Sequence, residues 1–183
     1  NGTRSDQPND VGLNNESLVG YWRLDSDVSG IGGTVKDYSG YGNNGKTQNG
    51  ISSGSEGVFS TNSFQSEEGG DIEFVNVPDD TSLDITEEVT MSAWVNLESD
   101  ASDYWRIVQK GQNSAYEIWV GKGDTYPVLR INNAINLEAP SIQTNNWTLV
   151  TATYDASTDN ASIYLDGSLE ATTIQDVGNI GTN

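Results

Sequence analysis

The chain contains no histidine and no cysteine among its 183 residues. Without an imidazole it offers no histidine general base and no histidine-ligated zinc or iron site. Without a thiol it offers no cysteine nucleophile, no disulfide and no thiolate metal site. Catalytic schemes and metal centres that depend on either side chain are therefore excluded for this chain.

Basic residues are also scarce, with 8 Lys plus Arg against 27 Asp plus Glu and a formal net charge of −19. Nucleic-acid binding requires a basic face that neutralises phosphates, and this composition does not supply one. Anionic membrane surfaces are disfavoured for the same reason, and no apolar run approaches the roughly 20 residues that span a bilayer. We therefore expect that the protein neither binds nucleic acid nor inserts into a membrane. So acidic a surface also suits a high-salt habitat.

The chain nevertheless carries the material of a folded core. Hydrophobic residues make up only 34%, but 5 Trp, 8 Tyr and 3 Phe supply large side chains that disordered acidic chains lack. Residues 1–17 are polar and show no apolar periodicity, so they are predicted to be a flexible lead-in or linker. The length then fits one domain over residues 18–183.

The apolar pattern is short and alternating, with Gly, Asn, Asp and Ser between the runs, and no long window keeps a helical period. Ten strands are predicted, at residues 18–24, 71–77, 90–97, 105–110, 115–120, 128–132, 136–139, 147–154, 161–165 and 169–173. So many strands in a small domain indicate a sandwich, barrel or jelly roll. The clearest hairpin signal is Asp166-Gly167, because a type I′ turn needs two positive φ angles; Asn132-Asn133 is a weaker one.

A loop rich in glycine at residues 37–45 is the candidate metal site. Calcium takes six to eight oxygen ligands from carboxylates, amides and backbone carbonyls. Asp37 and Asn43 offer side-chain oxygens, and Gly40 can turn its carbonyl inward. The alternative is a solvated turn in which Asp37 caps its own loop. On the residues alone both interpretations stand.

The strand at residues 116–120 is the candidate ligand-binding element. Because strand side chains alternate, Tyr116, Ile118 and Val120 share one face, while Glu117 and Trp119 share the other. If the first face packs in the core, Glu117 and Trp119 lie together on the exposed face. The segment Tyr104-Trp105-Arg106 and Arg130 are then expected within reach. Sugars stack on aromatic rings, while carboxylates and Arg take the hydroxyls. The four residues Trp105, Glu117, Trp119 and Arg130 are a predicted glycan platform; the alternative is that the Trp side chains are core packing.

Pairs of adjacent carboxylates occur at residues 67–68, 79–80 and 87–88. A glycosidase needs two carboxyl groups that flank one bond, but adjacent residues on a strand point to opposite faces. We interpret these pairs as solvated acidic surface and predict no catalytic residue.

Several segments in order resemble laminin-G-like, or concanavalin-like, jelly-roll domains: LVGYWRLD at 18–25, VKDYSGYGNNG at 35–45, VPD at 77–79, SLDI at 82–85, MSAWV at 91–95, IVQKG at 107–111, WTLVTATYD at 147–155 and IYLDG at 163–167. The resemblance implies two packed antiparallel sheets and a structural calcium at the 37–45 loop. It also implies non-catalytic binding modules of secreted, cell-surface or virion proteins. The family pattern continues beyond a segment like 178–181 with further strands. The domain is therefore expected to be incomplete at its C-terminus or to be completed by a strand from a neighbouring subunit.

The sequence thus predicts an extracellular, calcium-stabilised recognition or adhesion module that binds a glycan or a surface protein within a larger surface or virion assembly. The alternative is a structural jelly-roll subunit of a filament, surface layer or virus particle that has no ligand. A laminarinase-like glycosidase shares the broad fold, but its clustered carboxylates of the Glu-x-Asp-x-x-Glu kind are absent.

Overall fold

The structure is a computed structural model that describes residues 17–25, 31–49, 51–54, 57–58, 63–65, 73–98, 104–111, 115–121 and 123–182. The chain forms two compact units, Asn1–Leu83 and Asp84–Asn183. The predicted lead-in, residues 1–17, lies almost entirely outside the described residues. Among the described residues the one helical element is a 3₁₀ turn at Thr81–Leu83, and none is a helix that could cross a membrane.

The described residues of the first unit form five short strands: β1 (Thr34–Val35), β2 (Gly45–Gln48), β3 (Ser52–Gly54), β4 (Ser63–Gln65) and β5 (Phe74–Asn76). They form a three-stranded antiparallel sheet in the order β1-β2-β5 and a β3-β4 pair. The strand predicted at 18–24 is wrong: with the residues that the structure describes, this segment forms one isolated bridge, from Trp22 to Asp37. Leu24 takes a φ of 53°, which ends extended backbone there. The strand predicted at 71–77 is observed over residues 74–76, and its first two residues are outside the described part.

In the second unit, the part of the chain that the structure describes forms eight strands: β6 (Glu88–Val95), β7 (Trp105–Lys110), β8 (Tyr116–Val120), β9 (Pro127–Ile131), β10 (Ile135–Glu138), β11 (Thr148–Asp155), β12 (Asn160–Leu165) and β13 (Ser168–Ile174). They form two four-stranded antiparallel sheets, in the orders β10-β9-β8-β7 and β13-β12-β11-β6. Each corresponds to a predicted strand. The all-β, two-sheet jelly-roll sandwich expected from the sequence is confirmed.

The core of the second unit lies between its two sheets. Along β11, every second residue is buried, because alternate side chains of a strand point to one face. The inward residues of both sheets form one cluster, which includes Met91, Ile118, Leu129, Val150, Ala152, Tyr154 and Ile163. Ile118, Val150, Ile163 and Tyr154 are β-branched or aromatic residues, which fit a pleated, buried surface.

Two hairpins hold neighbouring strands in register. At the β12–β13 turn, Asp166 and Gly167 have φ angles of 51° and 84°, as the predicted type I′ turn requires. At the β9–β10 turn, Asn132 and Asn133 have φ angles of 51° and 54°. Both hairpin predictions are confirmed.

Strand β8 is an inner strand of its sheet and is buried along its whole length. Ile118 points into the core with its alternate neighbours. Glu117 and Trp119 point to the face away from the core, yet only 3% and 9% of their surface is exposed. A buried carboxylate on the outer face of a sheet needs partners from the adjacent strands. The side chains that serve as these partners form the site described below.

Candidate functional site

A cleft of about 220 Å³ lies on the outer face of the β10-β9-β8-β7 sheet, lined by Tyr104, Arg106, Glu117, Trp119 and Arg130. Strand register brings these side chains together. Glu117 of β8 lies opposite Arg130 of β9, and Trp119 lies opposite Arg106 of β7. Three of the four residues predicted for ligand binding, Glu117, Trp119 and Arg130, therefore meet in one place. We call it the Glu117 cleft.

The Glu117 carboxylate lies between two guanidinium groups. Arg130 Nη1 is 2.6 Å from Oε1, and Arg106 Nε is 3.7 Å from Oε2. Arg130 is also held by Asn136, whose Oδ1 accepts a 2.8 Å hydrogen bond from Arg130 Nε. A buried carboxylate is tolerated when a cation compensates it. Neither Glu117 oxygen accepts a well-aligned hydrogen bond from the described residues, so both retain capacity for a donor.

The Trp119 ring is packed between neighbouring side chains rather than exposed. The Arg130 guanidinium carbon lies 5.2 Å from the centroid of the ring, and the Tyr104 ring meets it edge-on at 5.1 Å and 82°. The expectation that Trp119 is an open stacking surface therefore needs correction. The exposed ring in the cleft belongs to Tyr104, with 51% of its surface accessible. Trp119 contributes its indole Nε1–H, which is buried and has no acceptor among the described residues.

Trp105 does not reach the Glu117 cleft. Its side chain packs beside a small apolar cluster of Leu97, Val120 and Ile142. The reason is a register shift in β7 between Arg106 and Val108, where one extra residue changes the phase of the alternation. Arg106 then faces outward and Trp105 inward. The sequence carries no local signal for that bulge, since no Gly marks it.

The predicted calcium loop lies in the first unit, around a buried Asp37. Oδ1 of Asp37 accepts hydrogen bonds from the backbone N–H groups of Tyr21 (2.9 Å) and Ser39 (2.8 Å). Oδ2 accepts from the Ser39 hydroxyl (2.7 Å) and the Asn43 N–H (2.9 Å). Burial of the carboxyl opposes its ionisation, but these hydrogen bonds outweigh burial and lower the pKa of Asp37 from its ordinary value.

The other two predicted ligands are in the same loop. The Asn43 amide nitrogen donates to Val19 O and to Ser82 Oγ, both at 2.8 Å, and its backbone carbonyl accepts from Trp22 Nε1 at 2.8 Å. Gly40 is exposed, with a φ of 102°. Asn43 thus joins the loop to the segments before and after it.

The hydrogen bonds of Asp37 leave its carboxylate little free capacity for a calcium ion. A carboxylate has about four acceptor positions, and four donors already occupy those of Asp37. Calcium needs six to eight oxygens, and the described part of the chain has no group of three Asp or Glu placed to hold a metal. The contacts match the alternative in which Asp37 caps its own loop. Calcium binding stays a prediction.

Neither of the two adjacent carboxylate pairs that the structure describes lines the Glu117 cleft. Asp80 Oδ1 accepts a hydrogen bond from the Ser82 N–H at the start of the 3₁₀ turn. Glu87 and Glu88 are exposed. The pair at 67–68 lies outside the described residues.

Comparison with known proteins adds a family and a fold. Residues 69–183 match the family model of the concanavalin A-like lectin/glucanases superfamily, of laminin-G type. Searches of curated proteins find no match.

Solved structures with a similar fold include binding domains of botulinum neurotoxins. One is that of neurotoxin DC in complex with SialylT, with 20% identity, a TM-score of 0.58 and coverage of 87% of this chain and 42% of that one. A second is from neurotoxin type C, whose cell entry depends on two ganglioside molecules, with 21% identity, a TM-score of 0.59 and coverage of 87% and 41%. A third is neurotoxin DC with rat synaptotagmin II, with 19% identity, a TM-score of 0.57 and coverage of 86% and 42%. The chain spans about two fifths of each, and the similarity is one of fold.

Proposed function

This chain belongs to the concanavalin A-like lectin/glucanases superfamily, and we propose that it is a non-catalytic module that binds a glycan in the Glu117 cleft. The observation that carries the proposal is a set of buried polar groups with unused hydrogen-bonding capacity beside an exposed aromatic ring. The groups are both Glu117 oxygens and Trp119 Nε1, and the ring is that of Tyr104.

The buried Trp119 Nε1–H is costly, because it loses its hydrogen bond to water and gains no acceptor from the described residues. Glu117 is compensated by its ion pair with Arg130, but its oxygens keep room for a further donor. A ligand that supplies the missing partners recovers that free energy. Sugars do so, since each hydroxyl both donates and accepts, and their apolar C–H faces pack on aromatic rings. The Glu117 cleft offers acceptors, a donor and a ring within one small volume.

The size of the cleft limits how much of a glycan it holds. Pockets for drug-sized ligands span roughly 300–1,000 Å³, and this cleft is smaller, at about 220 Å³. It therefore suits one terminal or branching sugar residue, with the rest of the glycan in solvent. Affinity for a single site of this kind is expected to be modest.

The non-catalytic part of the proposal follows from the count of carboxylates. Both inverting and retaining glycosidases place two carboxyl groups about 5–9.5 Å apart across the scissile bond. Among the described residues that line the cleft, Glu117 is the one carboxylate. Its Oε1 lies 2.6 Å from Arg130 Nη1.

We place the module outside the cell, at a cell or virion surface, with a glycan or a surface protein as its partner. The laminin-G-like domains that it resembles are modules of secreted, cell-surface or virion proteins. The botulinum proteins that share its fold are described with two ganglioside molecules, with SialylT and with rat synaptotagmin II. Those partners belong to larger proteins, so they support the class of partner rather than its identity.

The test is a glycan array followed by titration calorimetry on wild-type protein and two variants. Tyr104→Ala removes the exposed ring, and Trp119→Phe removes the indole donor but keeps an aromatic side chain. We expect roughly a tenfold loss of affinity for the first and a severalfold loss for the second. Tyr41→Ala is the matched control, because Tyr41 is exposed to a similar extent (48%) and lies in the other unit.

Absence of glycan binding by wild-type protein would refute the proposal and favour the structural-subunit alternative. Wild-type affinity in both cleft variants would refute the site. Circular dichroism of each variant confirms that the fold is kept.

A further inference from the structure

We infer that the sugar bound in the Glu117 cleft is an acidic one, whose carboxylate is recognised by Arg106. The inference rests on the proposed glycan-binding function and specifies its ligand. Its three supports are the distribution of cations, the state of the Arg106 guanidinium and the unpartnered indole donor of Trp119.

Cations are concentrated at the cleft. The unit Asp84–Asn183 has only four Lys or Arg against fourteen Asp or Glu. Two of the four, Arg106 and Arg130, line the cleft, where they face a single lining carboxylate. Lys110 is ion-paired with Asp84 at 3.1 Å. The cleft is therefore a local positive site on a strongly acidic protein.

The two arginines are not equivalent. Arg130 is bound to both Glu117 and Asn136, and 21% of its side chain is exposed. Arg106 has 44% of its side chain exposed and contacts Glu117 only at 3.7 Å, longer than a hydrogen bond. Because the closer ion pair already compensates Glu117, Arg106 supplies the excess charge. Its planar fork matches a carboxylate with two parallel hydrogen bonds.

Trp119 gives independent support for an acceptor on the ligand. The indole nitrogen donates and cannot accept, so only an acceptor can satisfy it. Trp119 is 9% exposed, and its Nε1 is buried without a partner in the described part of the chain. The cleft thus contains two donors available to a ligand, Trp119 and Arg106, and one acceptor group, the ion-paired carboxylate of Glu117. A sugar with an added carboxylate matches this excess of donors better than a neutral sugar does.

Among the strand residues that the structure describes, one other carboxylate is on the same face of the sheet. Register places Glu138 of β10 opposite Val128, which in turn lies opposite Trp119. Glu138 is three strands away from Arg106 and does not line the cleft. Its charge therefore limits binding at the β10 side and favours placement of the ligand carboxylate at the β7 side, next to Arg106.

The experiment compares matched acidic and neutral sugars by calorimetry and on the array. The pairs are methyl glucuronide with methyl glucoside, methyl galacturonide with methyl galactoside, and N-acetylneuraminic acid with its methyl ester. At least one acid is expected to bind about tenfold more tightly than its neutral partner. Arg106→Gln should remove that preference, and Arg106→Lys should keep part of it.

Arg23→Gln is the matched control, since Arg23 is an arginine of similar exposure (39%) in the other unit. Arg106 is exposed and has only a long contact, so its variants are expected to fold. Equal binding of acidic and neutral sugars, or an Arg106→Gln variant that keeps the acid preference, overturns the inference but leaves the proposed function intact. No binding of either class overturns both.

Discussion

At the scale of single residues, a buried carboxylate has two different roles in the two units. Asp37 accepts four hydrogen bonds from neutral donors, two at each oxygen, and orders a glycine-rich loop. Glu117 has cations beside it and no well-aligned donor, which leaves acceptor capacity for a ligand. The first is complete without any partner from outside, whereas the second is not. This contrast separates a structural carboxylate from a candidate binding one.

Stability below neutral pH is predicted to depend on Asp37. Its pKa is lowered in the folded state, so its contribution to the free energy of unfolding is full above the unfolded pKa of about 3.9 and is lost as pH falls through the folded pKa. Asp37→Asn should destabilise by about 1–3 kcal/mol at pH 7, because an amide nitrogen would face donors. The difference between wild type and variant should shrink toward pH 2. Denaturant midpoints measured against pH check this.

Hydrogen exchange of the Ser39 and Asn43 amides should be faster in the Asp37→Asn variant, and Glu170→Gln is the charge-matched control on an exposed position. A chelator is expected to leave the wild-type midpoint unchanged, because donors already occupy the carboxylate. A midpoint that rises with calcium and returns with chelator would support the calcium prediction instead. A constant difference between wild type and Asp37→Asn at all pH values would contradict the assigned role.

At the scale of elements, hairpin tips connect strands to segments far away in sequence. Asn132 begins the β9–β10 turn with a φ of 51°. Its Nδ2 donates to Val177 O (3.3 Å) and Asn179 O (2.8 Å), and its Oδ1 accepts from the Gly181 N–H (2.8 Å). The tip thus holds the chain that follows β13 against the sheet that carries the Glu117 cleft. One side chain satisfies three backbone groups.

Asn132→Gly is therefore predicted to lower stability although glycine tolerates the turn conformation. The variant keeps the positive φ and loses the amide, so the expected cost is about 1–3 kcal/mol. Asn133→Gly is the internal control, because Asn133 has the same backbone conformation (φ of 54°) and an exposed side chain. Equilibrium denaturation of both variants gives the comparison. Equal stability of the two would show that the bonds to the 177–181 segment contribute nothing.

At the scale of the whole molecule, the excess of negative charge is the feature with the largest expected effect on stability. A net charge of −19 on 183 residues creates self-repulsion that the folded state must overcome. Because the repulsion acts between exposed charges, ions in solution screen it, with a Debye length of about 30 Å at 0.01 M and about 3 Å at 1 M.

The melting temperature is therefore expected to rise by several degrees between about 0.01 M and 1 M sodium chloride. Differential scanning calorimetry at constant pH measures this. Repetition near the sequence pI of about 4.1 is the control, since protonation of the carboxylates removes most of the repulsion and should weaken the salt effect. A melting temperature that falls with salt at neutral pH would contradict this account.

Periodicity along the sequence predicted the strands of the second unit, because a strand repeats every two residues and turns have their own residue preferences. Asp166-Gly167 and Asn132-Asn133 specify their hairpins locally. The same alternation predicted that Glu117 and Trp119 share a face. In the first unit, where strands are two to four residues long, periodicity is too short to be informative, and the strand predicted at 18–24 is wrong.

The remaining features of the fold and of the candidate site depend on contacts between segments that are distant in sequence. The register shift in β7 turned Arg106 outward and Trp105 inward. Neither residue type predicts such a shift from the sequence. The pairing of β8 with β9 placed Arg130 opposite Glu117 and over Trp119, which buried a ring expected to be exposed. The four donors around Asp37 come from residues 39 and 43 of its own loop and from residue 21, which lies 16 positions earlier in the chain. Alternation and turn preference are local properties that a sequence carries residue by residue, whereas register, bulges and partner choice depend on how distant segments pack, so only the tertiary structure determines them.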